Sequence, residues 1–146
     1  MSEKTKSIIK EIVSWIKVIV LAFVVAFLLN KFVIVNANVP TGSMQNTIQP
    51  GDRLIGFRLA YLFEEPKRGE IIIFEYPVNP EEIYIKRIVG LPGEKMEIRD
   101  GHVYIDGSKT PLEEPYLKDE WIVENDGLEL TIPKGCYFVM GDNRNN

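Results

Sequence analysis

Between Ile12 and Val35 the chain offers water almost nothing to solvate. These twenty-four residues are apolar apart from Ser14, Lys17, Asn30 and Lys31. As an α-helix the stretch would span about 36 Å, enough for a bilayer hydrocarbon core of about 30 Å. It has no polar face, so it does not read as an amphipathic helix lying on a soluble core. Its uninterrupted part, Val18 to Leu29, is only twelve residues long. Lys17 and Lys31 must therefore extend towards opposite interfaces, with Trp15 near the first. Lys4, Lys6, Lys10 and Lys17 lie on the amino side, which predicts a cytoplasmic amino terminus with the rest of the chain outside. A cleaved leader is the rival reading, because Val35-Asn36-Ala37 offers small residues before a cut. A retained anchor is expected, since a serine able to carry chemistry follows six residues after Ala37.

Charge separates the same two regions. Residues 1–35 hold five lysines against two glutamates, a net +3, whereas residues 36–146 hold twelve basic and nineteen acidic side chains, a net −7. An acidic body behind a basic, apolar end argues for membrane topology and against nucleic acid as a partner. Cys136 and His102 are the sole cysteine and histidine. No intramolecular disulfide can form, and no multi-cysteine or His-based metal site is available, so no metal or cofactor is expected. Cys136 lies in Gly135-Cys136-Tyr137-Phe138-Val139-Met140, where a small buried core residue is the expected role.

Residues 36–146 read as β-rich and antiparallel. Leu54 to Phe57 follows a turn at Pro50-Gly51-Asp52, and Ile71 to Tyr76 is apolar apart from Glu75. Ile83 to Val89 alternates. Lys95 to Arg99 and His102 to Ile105 flank Asp100-Gly101, a hairpin signal, and Tyr137 to Met140 reads as a late strand. Asp106-Gly107 ends that pairing or turns again. Arg58 to Glu65 reads as a short helix or turn. Residues 108–126, acidic and carrying Pro111 and Pro115, read as surface loop. The expected organisation is a tail and anchor over 1–35 and a β-rich domain over 36–146, with an inserted hairpin and loop near 95–132.

Two segments bear chemistry. Val39-Pro40-Thr41-Gly42-Ser43-Met44 sets a serine just beyond the anchor; alone, Gly-Ser is a common turn. In Tyr84-Ile85-Lys86-Arg87-Ile88-Val89-Gly90, strand alternation puts Lys86 on one face with Tyr84 and Ile88, and Ile85, Arg87 and Val89 on the other. A solvated lysine, with a pKa near 10.4, cannot take a proton at neutral pH. Burial disfavours the ammonium and lowers that value, so an amine beside Tyr84 and Ile88 could serve as a general base for a serine hydroxyl. An exposed strand lysine is the competing reading of the alternation alone.

The ordered set of segments resembles the type I signal peptidases, enzymes that remove signal peptides from exported proteins. Four blocks carry the likeness: Pro40-Thr41-Gly42-Ser43-Met44 with Thr47-Ile48; Gly51-Asp52-Arg53-Leu54-Ile55; Tyr84 through Gly93-Glu94; and Gly141-Asp142-Asn143-Arg144-Asn145-Asn146. Arg68-Gly69-Glu70-Ile71-Ile72-Ile73-Phe74 fits between the second and third. The resemblance implies a mainly β, antiparallel catalytic domain behind one membrane helix, as in single-span, Gram-positive-like members. It assigns Ser43 as nucleophile and Lys86 as general base, a Ser–Lys variant of the serine triad. It places the Ser43 backbone N–H and the Thr41 hydroxyl at the oxyanion. Substrates would be signal peptides of exported preproteins with small residues before the cut, processed at the outer face of a bacterial plasma membrane.

Ile34, Val35, Val39, Met44 and Tyr84 are expected to contribute to peptide binding. Gly42 would allow close backbone approach, while Asp142 and Arg144 would hold a turn or salt bridge beside the site. His102, on a peripheral hairpin, is not expected to act. The family's last block runs on to a serine that would hydrogen-bond the lysine, whereas this sequence ends at Asn146; the expectation is a fragment, a truncated product or an incomplete gene, active at full length and impaired in this chain. Two other functions stay open: a catalytically impaired, membrane-anchored binding module, and a Ser–Lys self-cleaving regulator, which would need no anchor.

Overall fold

A run of apolar residues without glycine or proline is free to continue as helix until other pairing takes over. In the computed structural model, which describes residues 3–122 and 127–146, helix α1 extends over Glu3–Phe32. Its apolar side chains are exposed along the whole length, and it is long and apolar enough to cross a membrane. Lys31 in the last turn suits the negative end of the helix dipole. The β-branched Val33, Ile34 and Val35 favour extended backbone, and strand β1 begins at Ile34 (Ile34–Asn38). The helix thus ends at Phe32, short of residue 35, where the anchor was expected to end.

The chain divides into two compact units, one of residues 1–35 with 55–63 and the other of residues 36–54 with 64–146. In the first, the Arg58 backbone N–H donates to the Val33 carbonyl at 2.8 Å, and the Arg58 Nε donates to the Ile34 carbonyl at 3.4 Å. The expected helix or turn after Arg58 contracts to a single 3-10 turn, Ala60–Leu62. Strand β2 (Arg53–Phe57) pairs with β1.

The second unit is built on short antiparallel strands. β3 (Ile71–Tyr76) and the long β4 (Asn79–Gly90) pair from Ile71↔Arg87 to Tyr76↔Asn79, and β8 (Phe138–Met140) joins the other edge of β4. Among the described residues β8 pairs with Arg87, Ile88 and Gly90 of β4. A second sheet has the order β6-β5-β7, with β5 at Lys95–Arg99, β6 at His102–Ile105 and β7 at Glu129–Thr131. Asp100 and Gly101 both have positive φ, 50° and 69°, as a two-residue hairpin of this twist requires. Arg99 faces His102 across it.

Two apolar clusters hold this unit together. Ala37, Val39, Met44, Ile48 and Ile85 form one, with Leu54, Ile71 and Ile73 packed against it. Val89, Met96, Ile98, Val103 and Ile132 form the other. The alternation of β4 therefore feeds Ile85 into one core and Val89 into the next.

Two expectations are corrected here. Cys136 is exposed because the chain is still turning there: Gly135 has φ 75°, and the Cys136 N–H donates to the Pro133 carbonyl at 3.1 Å. The strand starts only at Phe138. The segment 108–122 lacks helix or strand, as expected of a loop, but it is not all surface. Leu112 and Trp121 pack on the second core. Glu114 makes an ion pair with Arg144 in which the side chains are 5% and 2% exposed. Residues 123–126 of the expected loop lie outside the described residues.

A buried pair leaves an uncompensated charge when one partner is removed, at a cost of about 3–5 kcal/mol. Glu114→Ala should lower the unfolding free energy by about that amount. Replacing both partners with apolar residues (Glu114→Leu with Arg144→Met) should recover most of it. Denaturant melts of the three proteins in one detergent measure both effects.

Candidate active site

The Val39–Met44 segment is tied down before any catalytic group is considered. The Val39 N–H donates to the Asp52 carbonyl at 3.0 Å, and the Gly51 N–H returns to the Val39 carbonyl at 2.8 Å. The Gln45 N–H and the Ile48 N–H close turns onto Gly42 and Met44 at 3.1 and 2.8 Å. Met44, 1% exposed, anchors the loop in the first core. Ser43 is thereby fixed beside β4, where Lys86 Nζ lies 2.6 Å from Ser43 Oγ. The Thr41 hydroxyl stands 3.4 Å from the same oxygen. Among the described residues the Ser43 backbone N–H has no intramolecular acceptor.

Burial governs the charge state of the amine. Lys86 is half-buried, with Tyr84 and the fully buried Ile88 on its strand face. Desolvation pulls its pKa below the ordinary 10.5, and the negative charge of Asp142 partly opposes that shift. The neutral amine becomes accessible nearer neutral pH than for a surface lysine.

Asp142 is 0% exposed and accepts from Arg87 Nε at 2.8 Å, from Arg87 Nη2 at 2.6 Å and from the Thr47 hydroxyl. The Arg87 pKa is raised, mainly by this hydrogen bonding, so its guanidinium stays charged. Arg87 also donates through Nη1 to the Gly69 carbonyl at 2.7 Å and stacks over the Tyr116 ring at 4.0 Å. Tyr116 in turn donates to Glu114 Oε1 at 2.7 Å. Burial first, then its bond to Glu114, pushes its own pKa upward.

Around this carboxylate the last block closes on the serine. The Asn143 N–H donates to the Ser43 carbonyl at 3.0 Å, and Asn143 Nδ2 donates to the Gly42 carbonyl at 3.1 Å. A Cβ on Gly141 would run into the Ser43 carbonyl, so only glycine permits this approach. The requirement for a small residue was expected at Gly42. There a Cβ would meet only the flexible end of Gln45, at 3.1 Å, so the constraint belongs to Gly141.

A cleft of about 490 Å³ runs from the serine along β4. Val39, Thr41, Ser43, Met44, Tyr84, Ile85, Lys86 and Glu82 are among its lining residues. Three of the five side chains expected to bind peptide, Val39, Met44 and Tyr84, line it. Ile34 and Val35 instead occupy the start of β1. Asp142 and Arg144 form salt bridges with Arg87 and Glu114 respectively. His102 is exposed on β6, with Nδ1 2.7 Å from the Asp100 carbonyl oxygen.

Arg87, Thr47 and Asn143 stand in the motif blocks with no role assigned from sequence, and Glu114 lies outside those blocks. For Arg87 a signal existed: alternation sets it between Ile85 and Val89 on an inward face, and a buried arginine demands a counter-charge. Glu114, between two prolines in an acidic stretch, carried none. Among the described residues no cluster of side chains able to hold a metal ion occurs.

The family profile described as signal peptidase, peptidase S26, matches residues 12–146. A signal peptidase I of Bacillus licheniformis is 35% identical over 97% of this chain and 79% of its own. Signal peptidase I T of Bacillus subtilis (strain 168) is 39% identical over 90% of this chain and 71% of its own. Signal peptidase IB of Staphylococcus aureus (strain COL) is 32% identical over 92% and 77%. A crystal structure of a signal peptidase I from Enterococcus faecalis V583 overlaps 56% of this chain and 80% of that one, at 36% identity and a TM-score of 0.44. With a match across nearly its whole length and relatives above 30% identity, the chain belongs to the signal peptidase family of serine peptidases, peptidase S26.

Proposed function

We propose that the protein is a membrane-anchored endopeptidase that removes signal peptides from exported preproteins, with Ser43 as nucleophile and Lys86 as its general base. The observation that carries this reading is the 2.6 Å approach of Lys86 Nζ to Ser43 Oγ at an amine whose burial lowers its pKa. A hydroxyl and a neutral amine at hydrogen-bond distance are the minimum for base-assisted acyl transfer.

The sequence of events follows from these positions. Neutral Lys86 takes the Ser43 proton as Oγ attacks the scissile carbonyl carbon. The resulting oxyanion accepts hydrogen bonds from the Ser43 backbone N–H and from the Thr41 hydroxyl turned towards it. The Lys86 ammonium then protonates the departing amine, and the C–N bond breaks to leave an acyl ester on Ser43. Lys86, neutral again, takes a proton from water, which attacks the ester carbonyl. Collapse of the second oxyanion returns the proton to Oγ and releases the signal peptide with a new carboxylate.

The free edge of β4 supports extended peptide binding. Its partner β8 stops at Arg87, so Glu81 to Lys86 present an edge on the cleft side, and an extended peptide can add to such an edge. Val39, Met44 and Ile85 wall the cleft beside the serine, leaving apolar room for small side chains before the cut. In this reading α1 crosses the plasma membrane of a bacterium, Lys4 to Lys17 remain cytoplasmic, and residues 36–146 act at the outer face, where preproteins emerge.

Cleavage of a preprotein in detergent tests the pair. Ser43→Ala and Lys86→Ala should each lower kcat/KM by about a thousandfold or more. Variants that cleave as well as the parent would leave only the binding-module reading. Thr41→Val should lower kcat by about 10²–10³-fold, the cost of one oxyanion donor, with KM little changed.

Because only neutral Lys86 is active, kcat/KM should rise with pH through a midpoint below 10.5. The negative charge of Asp142 raises that midpoint. A folded Asp142→Asn protein should therefore show its acid limb displaced to lower pH.

A further inference from the structure

The cleft does not end at the catalytic pair. Along β4, Glu82, Tyr84 and Lys86 share one face, and all three line the cleft. The pairing of β4 with β3 is regular from Arg87 to Ile83 and shifts register before Asn79, so Glu82 stands just past the regular part, at most about 13 Å from Lys86 along the edge. Glu82 is exposed. Asn79 Nδ2 donates to its Oε1 at 2.9 Å, and the neighbouring Tyr84 phenol is raised in pKa by desolvation first and by Glu82 after it. Both partners are uncharged. A carboxylate has about four lone-pair sites, so acceptor capacity remains. Glu75 and Glu81, exposed on the same hairpin, add to the negative potential at this end.

The opposite end of the cleft has a different character. Val39, Met44 and Ile85 are apolar, and burial favours the uncharged form of Lys86. The cleft is therefore polarised: apolar walls flank the point where the bond is cut, and a carboxylate stands about four strand residues away.

We infer that Glu82 forms a subsite for a cationic side chain on the substrate, at about the fifth residue before the cleaved bond. The position follows for a peptide that runs parallel to β4. Extended along that edge it keeps the same rise, so with the residue before the cut beside Lys86, the residue four earlier sits beside Glu82. An even offset also returns the side chain to the same face. A lysine or arginine there meets the free acceptor sites of Glu82, whereas a glutamate meets its charge. This inference rests on the proposed cleavage reaction and adds a selectivity to it.

The test uses the full chain in detergent with three peptides spanning a signal peptide cleavage site. They are identical except for Lys, Gln or Glu at the fifth residue before the bond. An exposed charge pair changes binding by about two- to fivefold, so kcat/KM should fall by about that factor at each step from Lys to Gln to Glu. Glu82→Gln should flatten the series and Glu82→Lys should reverse it. In the unaltered protein the preference should weaken as salt is added.

A flat series in the unaltered protein, or the same series in all three proteins, would overturn the subsite. If cleavage at that bond still requires Ser43 in a parallel Ser43→Ala control, the catalytic reading survives that result. Cleavage that persists in Ser43→Ala, or no cleavage of any peptide, would remove the catalytic reading and the subsite together.

Discussion

Asp142 is the charge on which the arrangement of the site depends. A carboxylate with no solvent exposure is tolerable only when its lone pairs are filled, because an unpaired buried charge costs several kcal/mol. Here Arg87 supplies two N–H donors and Thr47 a hydroxyl. Those donors come from β4 and from the loop after the serine, so satisfying one carboxylate draws together three stretches distant in sequence. The Asp142 carbonyl also receives the Lys118 N–H at 3.2 Å, which brings in the inserted segment. On either side of Asp142, Gly141 and Asn143 lie against the Ser43 carbonyl.

Lys86 and Arg87 are adjacent yet play opposite electrostatic parts. Strand alternation sends one to the cleft and its neighbour to the buried carboxylate. Arg87 stays charged because Asp142 answers it, whereas among the described residues Lys86 has no such partner and meets the desolvation cost through its own pKa. Asp142 is near enough to moderate the Lys86 shift without forming an ion pair with it. A carboxylate in direct contact would hold the amine protonated and useless as a base.

Local rules made some parts legible in the sequence. The apolar run declared α1 by composition, and Asp100-Gly101 declared the β5–β6 hairpin because few other pairs adopt two successive positive φ values. The Ser43–Lys86 pairing was readable from ordered motifs, with strand alternation making a half-buried lysine plausible. Contacts between distant segments were less so. The Glu114–Arg144 pair joins an acidic loop to the last block across thirty residues, and no periodicity announces it. Cys136 misled because an apolar run looks like strand, while Gly135 keeps the backbone turning for one residue more. Gly42 looked like the tight glycine since it precedes the serine; the tight approach comes from Gly141, nearly a hundred residues on, and only packing reveals it.

The most direct measurement is the titration of Lys86 itself. Carbon-13 labelling at lysine Cε, with the signal assigned by its loss in Lys86→Ala, follows the amine by NMR across pH. The expected midpoint lies below 10.5, below those of the exposed lysines, and coincides with the acid limb of kcat/KM. A Lys86 that titrates together with the surface lysines, while activity rises at a lower pH, would contradict its role as the base.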